Sequence, residues 1–168
     1  ETGGNCELTE PGQTVVKHNV TIVSPLNLPA TMPAHSSSLY SRNLLAKDVS
    51  RGKRTQADAD AVLARIGPTA SYGDLAGADL VIEAVFENRE IKADVTAQTE
   101  AVIPKNAVFA SNTSTLPITG LAQASKRPAQ FIGIHFFSPV DKMPLVEIIL
   151  GMKTSDDTLA RALDYVGQ

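Results

Sequence analysis

The hydrophobic and polar positions from residue 79 onward alternate between the spacings of strands and of helices. Four short apolar runs predict strands: 79–86, 107–110, 131–135 and 145–149. Three stretches with helical spacing predict helices: 89–103, 117–125 and 156–166. Such alternation is typical of an α/β layer with a mainly parallel sheet. The last two strands are too close for a helical crossover, so we expect a hairpin there.

The first part of the chain has a different pattern. Residues 1–43 are rich in glycine and proline around one apolar alternation at 14–23, which predicts a strand pair or a strand with loops. Further on, Thr55 precedes Asp58 by three residues, as in a capping box, and apolar positions then recur at helical spacing, which predicts a helix over 55–66. We therefore predict a turn-rich segment, residues 1–43, followed by an α/β segment, residues 44–168.

Composition narrows the class of protein. The 168 residues are 43% hydrophobic and 20% charged, which is ordinary for a folded domain. The net charge of −3 and scattered basic residues give no footprint for nucleic acid or an anionic membrane, so a small-molecule substrate is favoured. No apolar run approaches the ~18 residues of a membrane span, and no signal peptide is evident.

Cysteine and histidine usage adds two expectations. The single cysteine, Cys6, cannot form an internal disulfide, which favours a reducing compartment and hence a cytoplasmic location. His18 and His35 have no Cys, Asp or Glu at metal-ligand spacing, so no metal site is predicted. Because the chain begins at Glu1 without methionine and stops directly after the last predicted helix, we expect it to be a piece of a longer polypeptide.

Polar residues follow three of the predicted strands. Ligands of open α/β sheets lie beyond the carboxyl ends of the strands, where this chain has the following residues: Glu87 and Lys92, Asn112 and Ser114, and His135. Each group has a simpler interpretation, because hydroxyl and amide residues after a strand commonly cap the next helix, and a charge pair commonly lies in solvent. Their placement along one edge favours a binding site.

His135 and Glu147 are candidates for a catalytic pair. His135 ends an apolar strand, where a partly buried imidazole needs partners, and Glu147 lies within the next apolar run, where an unpaired carboxylate would be costly. A hairpin would bring them together as a general base and its orienting carboxylate. The alternative is a core histidine bonded to the backbone and a glutamate facing solvent, which spacing alone leaves open.

Three strings resemble the 3-hydroxyacyl-CoA dehydrogenase family, above all the dehydrogenase part of multifunctional fatty-acid oxidation proteins. They are LVIEAVFENREIK (80–92), FASNTSTLPIT (109–119) and FIGIHFFSPVDKMPLVEII (131–149). The likeness extends over residues 44–168, because 44–66 also resembles a helical excursion of the family. It implies NAD as cofactor, a 3-hydroxyacyl-CoA as substrate and oxidation to the 3-ketoacyl-CoA in fatty-acid β-oxidation.

The resemblance also implies roles for individual residues. His135 matches the family's general base and Glu147 its catalytic glutamate. Ser114 resembles a serine that bonds the reacting oxygen near the nicotinamide. Glu87, Lys92 and Asn112 match positions beside the nicotinamide and its ribose. Many members have asparagine where this chain has Ser138, so substrate would be held there by a shorter hydroxyl.

The family's opening strand and G-x-G-x-x-G turn, which bind the pyrophosphate, do not occur in this sequence. We therefore expect an incomplete Rossmann-like, mainly parallel sheet that lacks its first strand and glycine-rich loop, with weak or no NAD binding. The family's C-terminal helical domain is not in the sequence either. A non-catalytic remnant or interaction module is the alternative, with homo-oligomer formation through an exposed sheet edge.

Residues 1–43 resemble a different protein, an interior stretch of the alpha subunit of proton-translocating NAD(P) transhydrogenase. The likeness is continuous over most of the segment and ends near residues 41–45, where both families can be recognised. This implies a chimeric chain, whether natural, engineered or an artefact of assembly. A transhydrogenase-type role is the weakest alternative, because proton translocation needs membrane helices and this sequence contains none.

Overall fold

The computed structural model describes residues 14–17, 20–23, 33–140 and 142–167, with side chains from residue 41 onward. The chain divides into two compact units, Glu1–Ala70 and Ser71–Gln168. Expectations for Cys6 and His18, and for the side chain of His35, lie outside the described residues.

The first unit contains a hairpin and two helices. Strands β1 (Thr14–Lys17) and β2 (Val20–Val23) are antiparallel, which confirms the predicted strand pair. Helices α1 (Pro33–Ser50) and α2 (Gln56–Leu63) follow. The expected capping box begins α2, since the Thr55 side chain accepts from the Asp58 backbone and the Asp58 carboxylate accepts from the Thr55 backbone.

Helix α1 corrects the interpretation of residues 1–43 as turn-rich throughout. It begins at Pro33, and proline suits the first turn of a helix because the backbone N–H that it lacks would have no intrahelical acceptor there. Pro33, which we predicted as one of the turn formers, therefore lies at the start of a helix. The helix continues through residues 43 and 44, and the domain boundary proposed there stays a prediction.

The second unit alternates strands and helices, as expected. Its strands are β3 (Leu80–Glu83), β4 (Val108–Ser111), β5 (Phe131–Phe136) and β6 (Val146–Leu150). Its helices are α3 (Arg89–Glu100), α4 (Ile118–Leu121) and α5 (Asp156–Val166). Three expected bounds were too wide. The strand predicted over 79–86 ends at Glu83, and the helix predicted over 89–103 ends at Glu100. The helix predicted over 117–125 changes from α-helix to a 3-10 turn after Leu121.

The sheet has the order β3-β4-β5-β6. The first three strands are parallel, and β6 returns antiparallel to β5, which confirms both the mainly parallel α/β layer and the hairpin. Helix α3 begins after Asn88, whose side chain accepts from the backbone N–H groups of Glu90 and Ile91. Because β3, β4 and β5 are parallel, their carboxyl ends lie along one edge of the sheet, where the candidate residues occur.

Alternate residues of the strands face opposite sides of the sheet and form two apolar clusters. On one side, Val108, Ile132 and Ile134 pack with Ala162 of α5. On the other, Phe109 and Phe131 pack with Ile118 of α4, and the two phenyl rings stack with centroids 5.3 Å apart. The second side also contains the candidate site. No helix among the described residues has the length and apolarity to span a bilayer.

Candidate active site

His135 and Glu147 are brought together by the β5–β6 hairpin. They are directly opposed in its register, so both side chains lie on the same side of the sheet. The Nδ1 atom of His135 lies 2.9 Å from Oε2 of Glu147. The histidine side chain is 16% exposed, as expected for partial burial, whereas that of the glutamate is 51% exposed, more than its apolar run suggested. In the described sheet β6 is an edge strand.

The hydrogen bond assigns the tautomer of the imidazole. An ionised carboxylate only accepts hydrogen bonds, so Nδ1 of His135 must donate to Glu147. In the neutral ring the second nitrogen, Nε2, is then the proton acceptor. The ring of Phe137 lies against the imidazole, with centroids 4.6 Å apart and planes tilted by 48°. The hydrogen bond at Nδ1 therefore orients the ring and leaves Nε2 as the proton acceptor.

A buried ion pair underlies the ends of β3 and β4. The Nζ atom of Lys92 lies 2.5 Å from Oε1 of Glu83, and both side chains are only 1% exposed. The second carboxylate oxygen of Glu83 accepts from the hydroxyl of Ser111 at 3.1 Å, and Oε1 also accepts from the backbone N–H of Val85. Burial of both charges is thus compensated by each other and by further hydrogen bonds. Lys92 is part of the core rather than a solvated residue at a helix start.

Glu87 is held in its ionised form. Its Oε1 atom accepts from the hydroxyls of Thr113 and Thr115 and from the backbone N–H of Thr115, and its Oε2 atom lies 3.5 Å from Lys92 Nζ. Burial alone would raise the pKa of Glu87, but these hydrogen bonds and the lysine charge outweigh it and lower the pKa from 4.5 to about 2. A fixed negative charge therefore lies beside the end of β4.

Asn112 connects the ends of three strands. Its backbone N–H donates to the carbonyl of Glu83 at 2.7 Å, and its own carbonyl accepts from Lys92 Nζ at 3.4 Å. Its side-chain Oδ1 accepts from the backbone N–H of Phe136, next to His135, at 3.1 Å. In the described part of the chain, the side-chain nitrogen of Asn112 donates to no protein group.

The two candidate serines are at the surface. Ser114 follows β4 and Ser138 follows β5, and both are exposed. Neither forms a hydrogen bond to His135 or Glu147 within the described residues. Their substrate and cofactor roles therefore stay predictions. No group of three or more His, Cys, Asp or Glu suited to a metal ion occurs among residues whose side chains are described.

Two residues of this site, Glu83 and Thr115, were not predicted from the sequence, whereas Thr113 belongs to the polar run 111–114 that follows β4. Glu83 ends an apolar strand, and a charged residue at that position indicates a buried partner, which is Lys92. The contact of Thr113 and Thr115 with Glu87 was not predicted, because hydroxyl residues after a strand commonly do no more than cap the next helix. Their role depends on Glu87, which is 26 and 28 positions away.

Residues 16–168 match the model of the 3-hydroxyacyl-CoA dehydrogenase NAD-binding domain. The chain belongs to this family. The match confirms the resemblance and begins within the segment likened to transhydrogenase. That second likeness is not supported by the match and stays a prediction.

The relatives include a subunit of the fatty acid oxidation complex and two 3-hydroxybutyryl-CoA dehydrogenases. The fatty acid oxidation complex subunit alpha of Acinetobacter baylyi is 54% identical over 117 residues, which are 70% of this chain and 16% of that protein. Among solved structures, 3-hydroxybutyryl-CoA dehydrogenase of Escherichia coli has a TM-score of 0.75 at 33% identity, over 79% of this chain and 28% of that one. The (S)-3-hydroxybutyryl-CoA dehydrogenase of Ralstonia eutropha has a TM-score of 0.72 at 42% identity, over 74% and 44%. The chain thus covers a minor part of its curated relatives.

Proposed function

We propose that this chain contains the catalytic base of an NAD-dependent 3-hydroxyacyl-CoA dehydrogenase, which oxidises the 3-hydroxyl group to a 3-keto group. The observation that supports this most directly is the 2.9 Å hydrogen bond between His135 Nδ1 and Glu147 Oε2, at directly opposed positions of the hairpin. The family membership supports the substrate class and the cofactor.

Oxidation of the hydroxyl group removes a proton from its oxygen and a hydride from its carbon. In the proposed reaction Nε2 of His135 accepts the proton, because Nδ1 is already the donor to Glu147. The carboxylate of Glu147 then stabilises the imidazolium through the same hydrogen bond. The ring of Phe137 restrains the imidazole, so its orientation is set before substrate arrives.

The groups at the edge of the sheet fit the nicotinamide side of NAD, which when bound takes up the hydride. The free amide nitrogen of Asn112 and the exposed hydroxyl of Ser114 can both donate to polar groups of such a ligand. Glu87 and Lys92 support this site indirectly, since their charged atoms already bind protein groups. No G-x-G-x-x-G turn is available in this sequence for the pyrophosphate, so we propose weak NAD binding.

Turnover by the purified chain tests the proposal. Reduction of acetoacetyl-CoA by NADH is followed at the absorbance of NADH, with His135→Gln and Glu147→Gln alongside. Loss of the base should lower turnover by at least about 100-fold. The matched control is Glu90→Gln, an equal change at an exposed glutamate of α3. Turnover that survives in His135→Gln would refute the assignment of the base, and absence of turnover in the unaltered chain would refute activity of these residues on their own.

A cytoplasmic location and self-association are part of the proposal. The single cysteine supports a reducing compartment. The exposed apolar side chains of Leu145 and Leu150, at the two ends of β6, support pairing of that edge with a second copy. Light scattering of the purified chain tests the pairing, and a monomer at all concentrations would contradict it. Nucleic acid and membranes are not proposed as partners.

A further inference from the structure

The strand that contains His135 extends beyond its backbone pairing on one side. The parallel register between β4 and β5 runs from Phe109 opposite Phe131 to Ser111 opposite Gly133 and ends there. On the other side, β6 pairs with β5 as far as Phe136. The catalytic end of β5 therefore has a backbone neighbour on one side only, and that neighbour is the outermost described strand of the sheet.

The side chain of Asn112 takes the place of the missing backbone neighbour. Its Oδ1 atom accepts from the N–H of Phe136 at 3.1 Å, one residue beyond His135 and on the side where pairing with β4 has ended. Without this acceptor, the Phe136 N–H would be left without a protein partner in the described part of the chain. The hairpin alone would then hold the catalytic end of the strand.

Asn112 is itself fixed by the buried ion pair. Its backbone N–H donates to the carbonyl of Glu83, and its carbonyl accepts from Lys92 Nζ. The side chains of Glu83 and Lys92 are joined at 2.5 Å and shielded from water, so this support is rigid. A continuous set of hydrogen bonds thus joins the core of the sheet to the strand end beside the base.

We propose that Asn112 is a positioning residue for His135, and that the buried Glu83–Lys92 pair holds Asn112 in place for this task. The side-chain oxygen of Asn112 fixes the end of β5, and its nitrogen stays free for a ligand. The side chain of Asn112 would then both position His135 and contact the bound ligand. The catalytic consequence rests on the proposed function, but the positioning itself is a property of the unliganded chain.

The test compares Asn112→Leu with Asn112→Asp. Both replacements are close to asparagine in size, but only aspartate keeps an acceptor for the Phe136 N–H. Amide hydrogen exchange at Phe136 and the imidazole nitrogen resonances of His135 are measured by NMR on the isotope-labelled chain, without cofactor or substrate. The matched control is Thr119→Val, which removes another side-chain acceptor of a backbone N–H, that of Met152 at 3.1 Å.

Asn112→Leu should speed exchange at Phe136 by about tenfold or more and shift the His135 nitrogen resonances, because the N–H loses its acceptor. Asn112→Asp should keep the protection of Phe136, and Thr119→Val should change neither value. Unaltered exchange in Asn112→Leu, equal acceleration in Thr119→Val, or failure of aspartate to restore protection would each overturn the proposal. If Asn112→Leu does not fold, Asn112→Ala takes its place, because it also removes the acceptor and should speed exchange at Phe136 in the same way. These results do not depend on turnover, so failure of the proposed function is separately visible.

Discussion

Replacing Gly133 by alanine tests how closely β5 packs against α4. A Cβ atom at Gly133 would lie 2.7 Å from Cδ1 and 2.8 Å from Cγ1 of Ile118, and 3.0 Å from Cβ of Ile149. Ile118 is buried in the cluster with Phe109 and Phe131, so it has little room to move. Overpacking of this kind costs about 1–3 kcal/mol, partly offset by about 0.5–1 kcal/mol from the lower chain entropy of alanine. We expect Gly133→Ala to lower the free energy of unfolding by about 1–2 kcal/mol.

Urea unfolding followed by circular dichroism measures this change, with Gly77→Ala as the control. An added Cβ at Gly77 meets nothing within 4 Å, and its φ lies outside the left-handed region, so that change should be neutral or slightly stabilising. Ile118→Ala alone should cost about 2–5 kcal/mol by opening a cavity. The double variant should cost less than the sum by about 1 kcal/mol or more, because the added methyl group fills space that Ile118 has vacated. Additive costs, or a Gly133→Ala variant as stable as Gly77→Ala, would refute the reasoning.

Two further predictions concern the charged groups. Lys92→Met leaves Glu83 buried without its partner and should lower the free energy of unfolding by about 3–5 kcal/mol. The double variant Lys92→Met with Glu83→Gln should recover at least about 1 kcal/mol of that loss. Denaturant titration of the unaltered chain and both variants measures this, and a double variant no more stable than Lys92→Met would contradict the prediction. The pKa of Glu87 is lowered to about 2 in the folded chain, so its contribution to stability is complete above about pH 4.5 and is lost as the pH falls toward about 2. Because the side chain is 34% exposed, we discount the contribution to about 1–2 kcal/mol, and the stability difference between the unaltered chain and Glu87→Gln should shrink by that amount between about pH 5 and about pH 2.

The pairing of His135 with Glu147 follows from sequence because it depends on local rules. Strand residues alternate between faces with a period of two, and two strands joined by a short connection return antiparallel. These rules made Glu147 the best candidate partner for His135, and the structure places the two in direct opposition. The exposure of Glu147 did not follow, since it depends on what packs on that face of the sheet.

The buried charges could not be predicted because their environment is built from distant parts of the chain. Glu83 and Lys92 are nine positions apart, and the depth of Lys92 depends on how α3 packs on the sheet. The hydrogen bonds that lower the pKa of Glu87 come from a loop after the next strand. Helix α1 was missed for a local reason, because Pro33 at a helix start has the same composition signal as proline in a turn.

The β5–β6 hairpin has a consequence for inheritance. Both members of the proposed catalytic pair lie within residues 131–150, so any recombination that exchanges sequence outside this stretch transmits the pair intact. The groups that support it lie in β3, in α3 and directly after β4 and can be separated from it by a single exchange. A chain that keeps the hairpin but lacks these groups would therefore keep the proposed base without the hydrogen bonds that hold its strand end.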